Sequence, residues 1–353
     1  MSLGQRIKQA RKSNQFSQRD LAEKVQLSAM AISKYERNIN TPTSEMILRL
    51  AQALNVPVDF FFRPEAPQIE LQAYRKHASL RKRDQIAIQA RIQEWLERYI
   101  EIENVFTQEK MNPNIPQIVV SSAEEIETAA EKLRNVWNLG LDPIENLTQL
   151  LEDQGIKVGL VAGYDHFDAC TFRANGILVI VTKLDLPGDR QRFNLGHELG
   201  HLVLKIDENL DIEKTAHHFA GAFLAPASVV RFELGKDRSS LDVNELYLLK
   251  HKYGLSMQAW VFRARDLGII TPATAKRLFQ QFRKKGWHRK EPGSEYPPEK
   301  PTRMERLIYR SLVEDLISRS KAQELLGKPL QNNWTSIAND NTPDPHHRHK
   351  HLD

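Results

Sequence analysis

Phe16-Ser17-Gln18-Arg19-Asp20-Leu21-Ala22-Glu23-Lys24-Val25-Gln26-Leu27-Ser28-Ala29-Met30-Ala31-Ile32-Ser33-Lys34-Tyr35-Glu36-Arg37 decides how the N-terminal part of the chain folds. Ser17 can cap a helix over Gln18 to Val25 and Ser28 a second over Ala29 to Glu36, because a side-chain oxygen there accepts an otherwise unpaired N–H of the first turn. Ala22 is small where the two helices must approach, and Leu21, Val25, Leu27 and Ile32 supply the buried seam between them. Outward from this pair the three- and four-residue apolar spacing continues through Leu3-Ile7-Ala10 on one side and Ile47-Leu50-Ala51-Leu54 on the other, the latter capped by Thr43 or Ser44. Residues 1–62 therefore read as five short helices, closing at Pro57 and Phe60-Phe61-Phe62.

A helix that crosses the phosphate backbone, a tight turn, and a second helix whose first residues enter the major groove make a helix-turn-helix, and the quoted run fits that plan. Over residues 4–62 it resembles the XRE/Cro-type phage-repressor family, carried by Gln18, Leu21-Ala22, Ile32-Ser33 and Glu36-Arg37. The resemblance implies that Ser28, Ala29, Met30, Ser33 and Lys34 face the groove of double-stranded DNA, with Arg37 on the same helix and Gln18 near phosphate or base edges. Ala29 and Met30 cannot make bidentate hydrogen bonds to bases, so thymine-methyl contact or shape readout has to carry part of any specificity. Gln26 stands at a turn position where the family often has glycine, and Asn38 where glycine often follows the recognition helix. Asparagine tolerates a left-handed backbone, whereas glutamine makes the turn costlier. Proteins of this kind bind paired half-sites, which implies a homodimer.

The chain has 353 residues, more than one compact core holds, so at least two domains are expected. Hydrophobic and charged fractions of 41% and 27% are ordinary, which excludes global disorder and collagen-like or disulfide-scaffold classes. Cys170 is the sole cysteine, ruling out an intrachain disulfide or a CxxC motif and pointing to a reducing compartment. Met1 to Lys8 lacks a secretory apolar core, and no apolar run nears the roughly 18–20 residues that span a bilayer, so a cytoplasmic protein without membrane contact is expected. Basic residues cluster at Arg6 to Lys12, Arg75 to Arg83 and Arg283 to Lys290; the first suits a polyanion and the others read as solvated helix faces.

Pro64 and Pro67 break the helical pattern, and Gln85 to Phe106 resumes it as one amphipathic helix, with Ile88, Ile92, Trp95, Leu96, Tyr99 and Ile102 on one side. This helix is expected to space two modules, ahead of a second linker at Met111 to Pro116. Two more helices, about Ala123 to Trp137 and Pro143 to Gln154, precede strand-like runs at Ile156 to Val161, Phe167 to Phe172 and Ile177 to Val181. Helical periodicity then returns in Arg190 to Leu204, Ile212 to Leu224, Val243 to Tyr253, Met257 to Leu267 and Ala273 to Lys285. The polar, His-rich end beyond Gln331 reads as a disordered terminus.

In Arg190-Gln191-Arg192-Phe193-Asn194-Leu195-Gly196-His197-Glu198-Leu199-Gly200-His201-Leu202-Val203-Leu204, His197 and His201 lie four apart, which on a helix puts both imidazoles on one face. Two zinc ligands are then fixed, and Glu198 can take the proton of a water that the metal acidifies. A core helix with two hydrogen-bonded histidines is the plain alternative. A catalytic zinc needs a third protein ligand. Glu213 and His217, one turn apart on the next helix, are both placed to face the metal, and Ala216, Ala220 and Gly221 let that helix pack close.

His197-Glu198-x-x-His201 followed by Glu213-x-x-Ala216-x-x-Phe219-Ala220 and Leu224-x-Pro226 resembles the ImmA/IrrE metallopeptidase-like family over roughly Leu133 to Pro226, and Arg192-Phe193 also matches. The resemblance implies Glu213 as the third zinc ligand and Glu198 as general base. His217 stands where the family usually has asparagine. It supports the ligands from behind, replaces one, or merely packs, in that order of preference. Tyr164, His166 and His217 are the candidates for oxyanion stabilisation.

The fold class expected is thus α+β multidomain: an all-α helix-turn-helix head (1–62), a linker and connecting helix (63–116), a mainly helical metallopeptidase-like domain with a small sheet (117–230), a helical C-terminal region (231–330) and a tail (331–353). Within it, Tyr253 to Ile270 resembles the portion that follows the peptidase core in fused regulators, and Ile317 to Gly327 reads as a short packing or partner-binding helical pair. Members of the peptidase-like family act on helix-turn-helix repressors, so the resemblances together imply a DNA-binding transcriptional regulator whose zinc endopeptidase domain cuts itself or a partner repressor. The alternative is a non-enzymatic repressor or antitoxin-type regulator that keeps the zinc fold as sensor or dimerisation domain.

Overall fold

Ser2, Ser17, Ser28 and Thr43 each accept a hydrogen bond from the backbone N–H three residues on, and these caps start the four helices of the head. In the computed structural model, which describes residues 2–63, 72–73, 80–106, 113–174 and 176–330, they are α1 (Leu3–Ser13), α2 (Gln18–Lys24), α3 (Ala29–Glu36) and α4 (Ser44–Leu54). The expected fifth helix is a single 3-10 stretch, Val58–Phe62, whose Phe60 and Phe61 close the core of Ile7, Leu21, Val25, Ile32, Leu50 and Leu54. Gln26 and Asn38 are both left-handed, with φ of 55° and 57°. A left-handed non-glycine residue costs roughly 1–2 kcal/mol, partly offset because glycine loses more freedom on folding. Gln26→Gly is therefore expected to stabilise the head by about 0.5–1 kcal/mol, read as a raised denaturant midpoint.

The helix anticipated as a spacer is a buried spine. Helix α5 (Lys82–Val105) carries three partners. Ala87, Ile88, Ile92 and Leu96 pack on a sheet, and Tyr99 and Ile102 pack on the last two helices, α14 (Arg303–Val313) and α15 (Arg319–Leu326). Glu97 receives the buried guanidinium of Arg6 from α1. Arg63, at the end of the head, bridges Glu94 of α5 (2.9 Å) and Glu324 of α15 (2.8 Å). The stretch 317–327, expected as a helical pair, holds one helix, α15, which packs with the preceding α14 on α5.

The sheet runs β1-β4-β5-β3, where β1 is Gln72–Ala73, β3 Ile156–Val161, β4 Ala169–Ala174 and β5 Ile177–Lys183. β4 and β5 form an antiparallel hairpin, and β3 is parallel to β5. A short parallel pair absent from the sequence-based expectation, β2 (Ile118–Val120) with β6 (Leu204–Ile206), ties the entrance of the domain to the end of the histidine helix. On the sheet face away from α5 lie α6 (Ala123–Val136), α7 (Leu147–Asp153), α8 (Gly188–Val203) and α9 (Ile212–Leu224). Helices α10 (Ala227–Leu234), α11 (Val243–Tyr253), α12 (Met257–Asp266) and α13 (Pro272–Lys284) follow, and one core extends from Val120 to Phe282.

An extended strap then crosses the base of α8. The Gln191 side-chain amide donates to the Glu299 carbonyl and accepts from the Glu299 backbone N–H, Gly188 N donates to the Tyr296 carbonyl, and fully buried Arg192 pairs with Glu299. Among the described residues no helix is long and apolar enough to cross a membrane. The polar tail at 331–353, Pro64, Pro67 and residues 75–79 of the Arg75 to Arg83 cluster lie outside the described residues.

Candidate metal centre and nucleic-acid interface

Helices α8 and α9 cross closely because their facing residues are small. A Cβ on Gly196 would stand 3.4 Å from Ala220, and one on Gly200 would stand 3.0 Å from Phe219 and 3.4 Å from Ala216. Ala216 and Ala220 thus serve the close approach read from the sequence, whereas Gly221 faces Arg263 of α12. The crossing brings side chains of both helices to one point. His197 Nε2 lies 3.1 Å from His201 Nε2 and 3.1 Å from a Glu213 carboxylate oxygen, and His201 Nε2 lies 3.8 Å from the other. Bonds of about 2.0–2.1 Å in a tetrahedron place ligand atoms about 3.3 Å apart, so these three residues have about the spacing of one face of such a site.

His217 belongs to the same cluster. Its ring stacks obliquely on His197 at 4.3 Å, and His197, Glu213 and His217 also offer ligand atoms within 4.8 Å of one another. Two triplets therefore share His197 and Glu213. His217 Nδ1 sits 2.7 Å from the Glu213 backbone carbonyl, a contact that holds the ring and leaves Nε2 as its outward atom. His201 Nε2 approaches His197 Nε2 at 3.1 Å and a Glu213 oxygen at 3.8 Å, which makes it a candidate third donor beside His217. Burial lowers the His217 pKa from its ordinary value, opposed by the Asp211 and Glu198 carboxylates, so the neutral ring is favoured.

Glu198 points from α8 toward the sheet. Its carboxylate is buried and accepts a 2.6 Å hydrogen bond from the Thr171 hydroxyl on β4. Thr171 is the site residue that the sequence did not reveal. Its neighbours Cys170 and Phe172 face the opposite core under α5, and burial, with the Glu198 charge, pushes the Cys170 thiol well above its ordinary range. Of the oxyanion candidates, Tyr164 is buried in that opposite core with Arg91 over its ring, and His166 is exposed; His217 alone stands at the cluster.

Behind the cluster, Glu127 of α6 joins α9 to α12 by accepting from His218 (2.6 Å) and from both ends of the Arg263 guanidinium. Burial raises this carboxyl, but the bonds and charges of His218 and Arg263 outweigh it and pull it down to about 2. A depressed carboxyl stabilises the fold above its unfolded pKa and loses that contribution as pH falls through the folded one. The contribution of Glu127, on the order of 3 kcal/mol, is expected to vanish between about pH 4.5 and 2. Glu127→Gln should flatten that limb of the stability–pH curve, followed by urea denaturation.

In the head, Ser28 is the N-cap of α3, and Ala29, Met30, Ser33 and Lys34 lie on its turns, with Arg37 as its exposed C-terminal cap. Met30 is 68% exposed. Arg37 Nε donates to the Ser33 carbonyl. Gln18 donates its amide to Glu36 (2.8 Å), and Glu36 in turn takes a bidentate grip from Arg11. Gln18 thereby links the first residues of α2 to the end of α3.

A capped two-helix reading unit and a cluster of two histidines, a glutamate and a buried second carboxylate define a helix-turn-helix protein with a metallopeptidase-like domain. Residues 7–61 match the helix-turn-helix family model, and residues 152–265 match that of the IrrE N-terminal-like domain. The chain thus joins an XRE-type head to an IrrE/ImmA-like domain. It is 37% identical over 60 residues to the HTH-type transcriptional regulator ImmR of Bacillus subtilis (strain 168), a match covering 17% of this chain and 47% of that protein. It is 38% identical over 60 residues to an uncharacterized transcriptional regulator in the ATPase CF(0) region of Rhodospirillum rubrum, covering 17% and 56%. The chain spans about half the length of the curated relatives it matches.

Proposed function

We propose that the protein is a DNA-binding transcriptional regulator with a zinc-dependent endopeptidase site, acting on itself or on a partner repressor. The observation that carries the enzymatic half is the convergence of His197, His201 and Glu213 at 3.1 and 3.8 Å, with Glu198 buried beside them. His197, His201 and Glu213 hold the ion in this reading. Bound zinc would supply a polarised carbonyl and a water of lowered pKa.

The chain's own groups do the rest. Glu198 receives the proton from the attacking water, and Thr171 fixes the carboxylate by donating to one of its oxygens. His217, neutral and outward at Nε2, holds the α9 side of the site. In the head, Ser28, Ala29, Met30, Ser33, Lys34 and Arg37 face the DNA groove and backbone, and two copies of the chain bind two half-sites. Gln18 serves this interface by bracing α3 through Glu36.

The test is to purify wild type and His201→Ala, measure bound zinc, and follow the intact mass of each with and without an added helix-turn-helix repressor. Zinc near one per chain in wild type, lost in the variant, with a zinc-dependent clip in either substrate, is the expected result. Full zinc with no clip would reduce the domain to a metal-held scaffold. Binding of operator-sized DNA as a dimer, measured by light scattering, tests the head separately.

A further inference from the structure

Neutralising DNA phosphates takes cations that no carboxylate already holds, set where the duplex backbone runs. Of the basic cluster between Arg75 and Arg83, the described members are Arg81, Lys82 and Arg83, and all three are exposed. Among the described residues no carboxylate pairs with Arg81 or Lys82. These side chains belong to the body of the protein, at the opening of α5, yet they stand against the head. Arg83 donates to the Gln15 carbonyl in the turn between α1 and α2, and the Gln15 side-chain amide donates back to Asp84 at 3.2 Å. Two turns further along α5, Arg91 Nε donates to the Ser13 carbonyl at 3.2 Å. Arg83 also reaches the first turn of α2: the Asp20 carboxyl is held below its ordinary range by its bonds to Ser17, and the Arg83 charge adds to that effect. Helix α2 is the one that crosses the phosphate backbone in a helix-turn-helix, and its opening already carries the exposed Arg19.

We propose that Arg81 and Lys82, anchored beside the head by Arg83, form a phosphate-contacting patch that continues the DNA face of the head onto the body. The inference deepens the DNA-binding reading and rests on it for the nature of the polyanion. Contacts of this kind add affinity and fix orientation without reading sequence, so the patch strengthens binding to operator and unrelated duplex alike. It also makes affinity depend on how the head is seated. A head lifted from α5 keeps its recognition helix and loses the two cations, so the clasp between Gln15, Arg83 and Asp84 couples the body to the strength of DNA binding.

The experiment titrates the full chain by anisotropy into a fluorescein-labelled duplex of mixed sequence, at salt between about 50 and 200 mM. Arg81→Gln combined with Lys82→Gln is expected to lower the slope of log affinity against log salt by about one for each contact removed, and to weaken binding about ten-fold or more at the low-salt end. Arg81→Lys combined with Lys82→Arg keeps both charges and should keep the wild-type slope, and an unchanged urea midpoint in both double variants certifies the fold. A slope that Arg81→Gln with Lys82→Gln leaves unchanged overturns the inference. So does an equal loss in the charge-keeping pair, which marks a structural role. Lys34→Gln combined with Arg37→Gln tests the head separately. A slope that falls there alone keeps the head reading and removes the patch; a slope that falls only with the Arg81 and Lys82 substitutions keeps the patch and removes α3 from the DNA.

Discussion

Glu198→Gln is expected to retain zinc and to lose polypeptide cleavage by about 10²–10⁴-fold, the usual contribution of a general base. The substitution keeps the shape of the side chain and the Thr171 hydroxyl as a neighbour, so the ligand cluster is not disturbed. What it removes is the proton acceptor of the proposed reaction. Thr171→Val acts on the same group from behind: the carboxylate stays but loses the bond that fixes it, and a smaller loss, about ten-fold, is expected. Rates from intact-mass time courses on equally metallated proteins would decide the matter. A Glu198→Gln protein that still cleaves at the wild-type rate would remove Glu198 from the reaction.

Glu299→Ala is expected to cost about 3–5 kcal/mol, because it strands the fully buried Arg192 guanidinium without its carboxylate. The same carboxylate also accepts from the Thr148 backbone N–H at 2.7 Å, so a second buried donor is left unpaired. Arg192→Met combined with Glu299→Gln removes both charges, keeps an acceptor near Thr148, and should recover most of the loss. Urea unfolding of the peptidase-like domain, followed by Trp260 and Trp287 emission, reads both. A loss under 1 kcal/mol for Glu299→Ala would mean that the strap contributes little to holding α8.

The parts of the site legible in the sequence are those written within one turn of helix. The convergence of His197 and His201 was legible because a four-residue spacing on a helix puts both side chains on one face. The placement of Glu213, Ala216 and Ala220 followed from the same periodicity, and the ligand role proposed for Glu213 comes from the family resemblance. The head was readable for a similar reason, since its caps Ser17, Ser28 and Thr43 are local signals. Thr171 was not, because its partner is 27 positions away and a threonine in an apolar strand reads as ordinary β-propensity. β2 and β6, at three residues each, are too short to show a period, and their parallel pairing is fixed by packing. The burial of α5 was hidden by its own charges: Glu94, Glu97 and Arg98 look like a wet face until Arg6, Arg63 and the Leu325 carbonyl are brought to meet them.

Those ion pairs, with two hydrogen bonds beside them, bear on what a break in the tether, the 64–79 connection between the head and α5, would do. Arg6 to Glu97, Arg63 to Glu94 and Glu324, Gln15 to Asp84 and Arg91 to the Ser13 carbonyl all fasten the head to the body without using the tether. A nicked molecule is therefore a two-piece complex rather than two free fragments, and it keeps its shape until something pulls the pieces apart. Because several of these clasps are charged, ionic strength and a competing polyanion govern how long the pieces stay together. Severing the chain and silencing the head would be two separate events, with a lifetime between them that salt can tune.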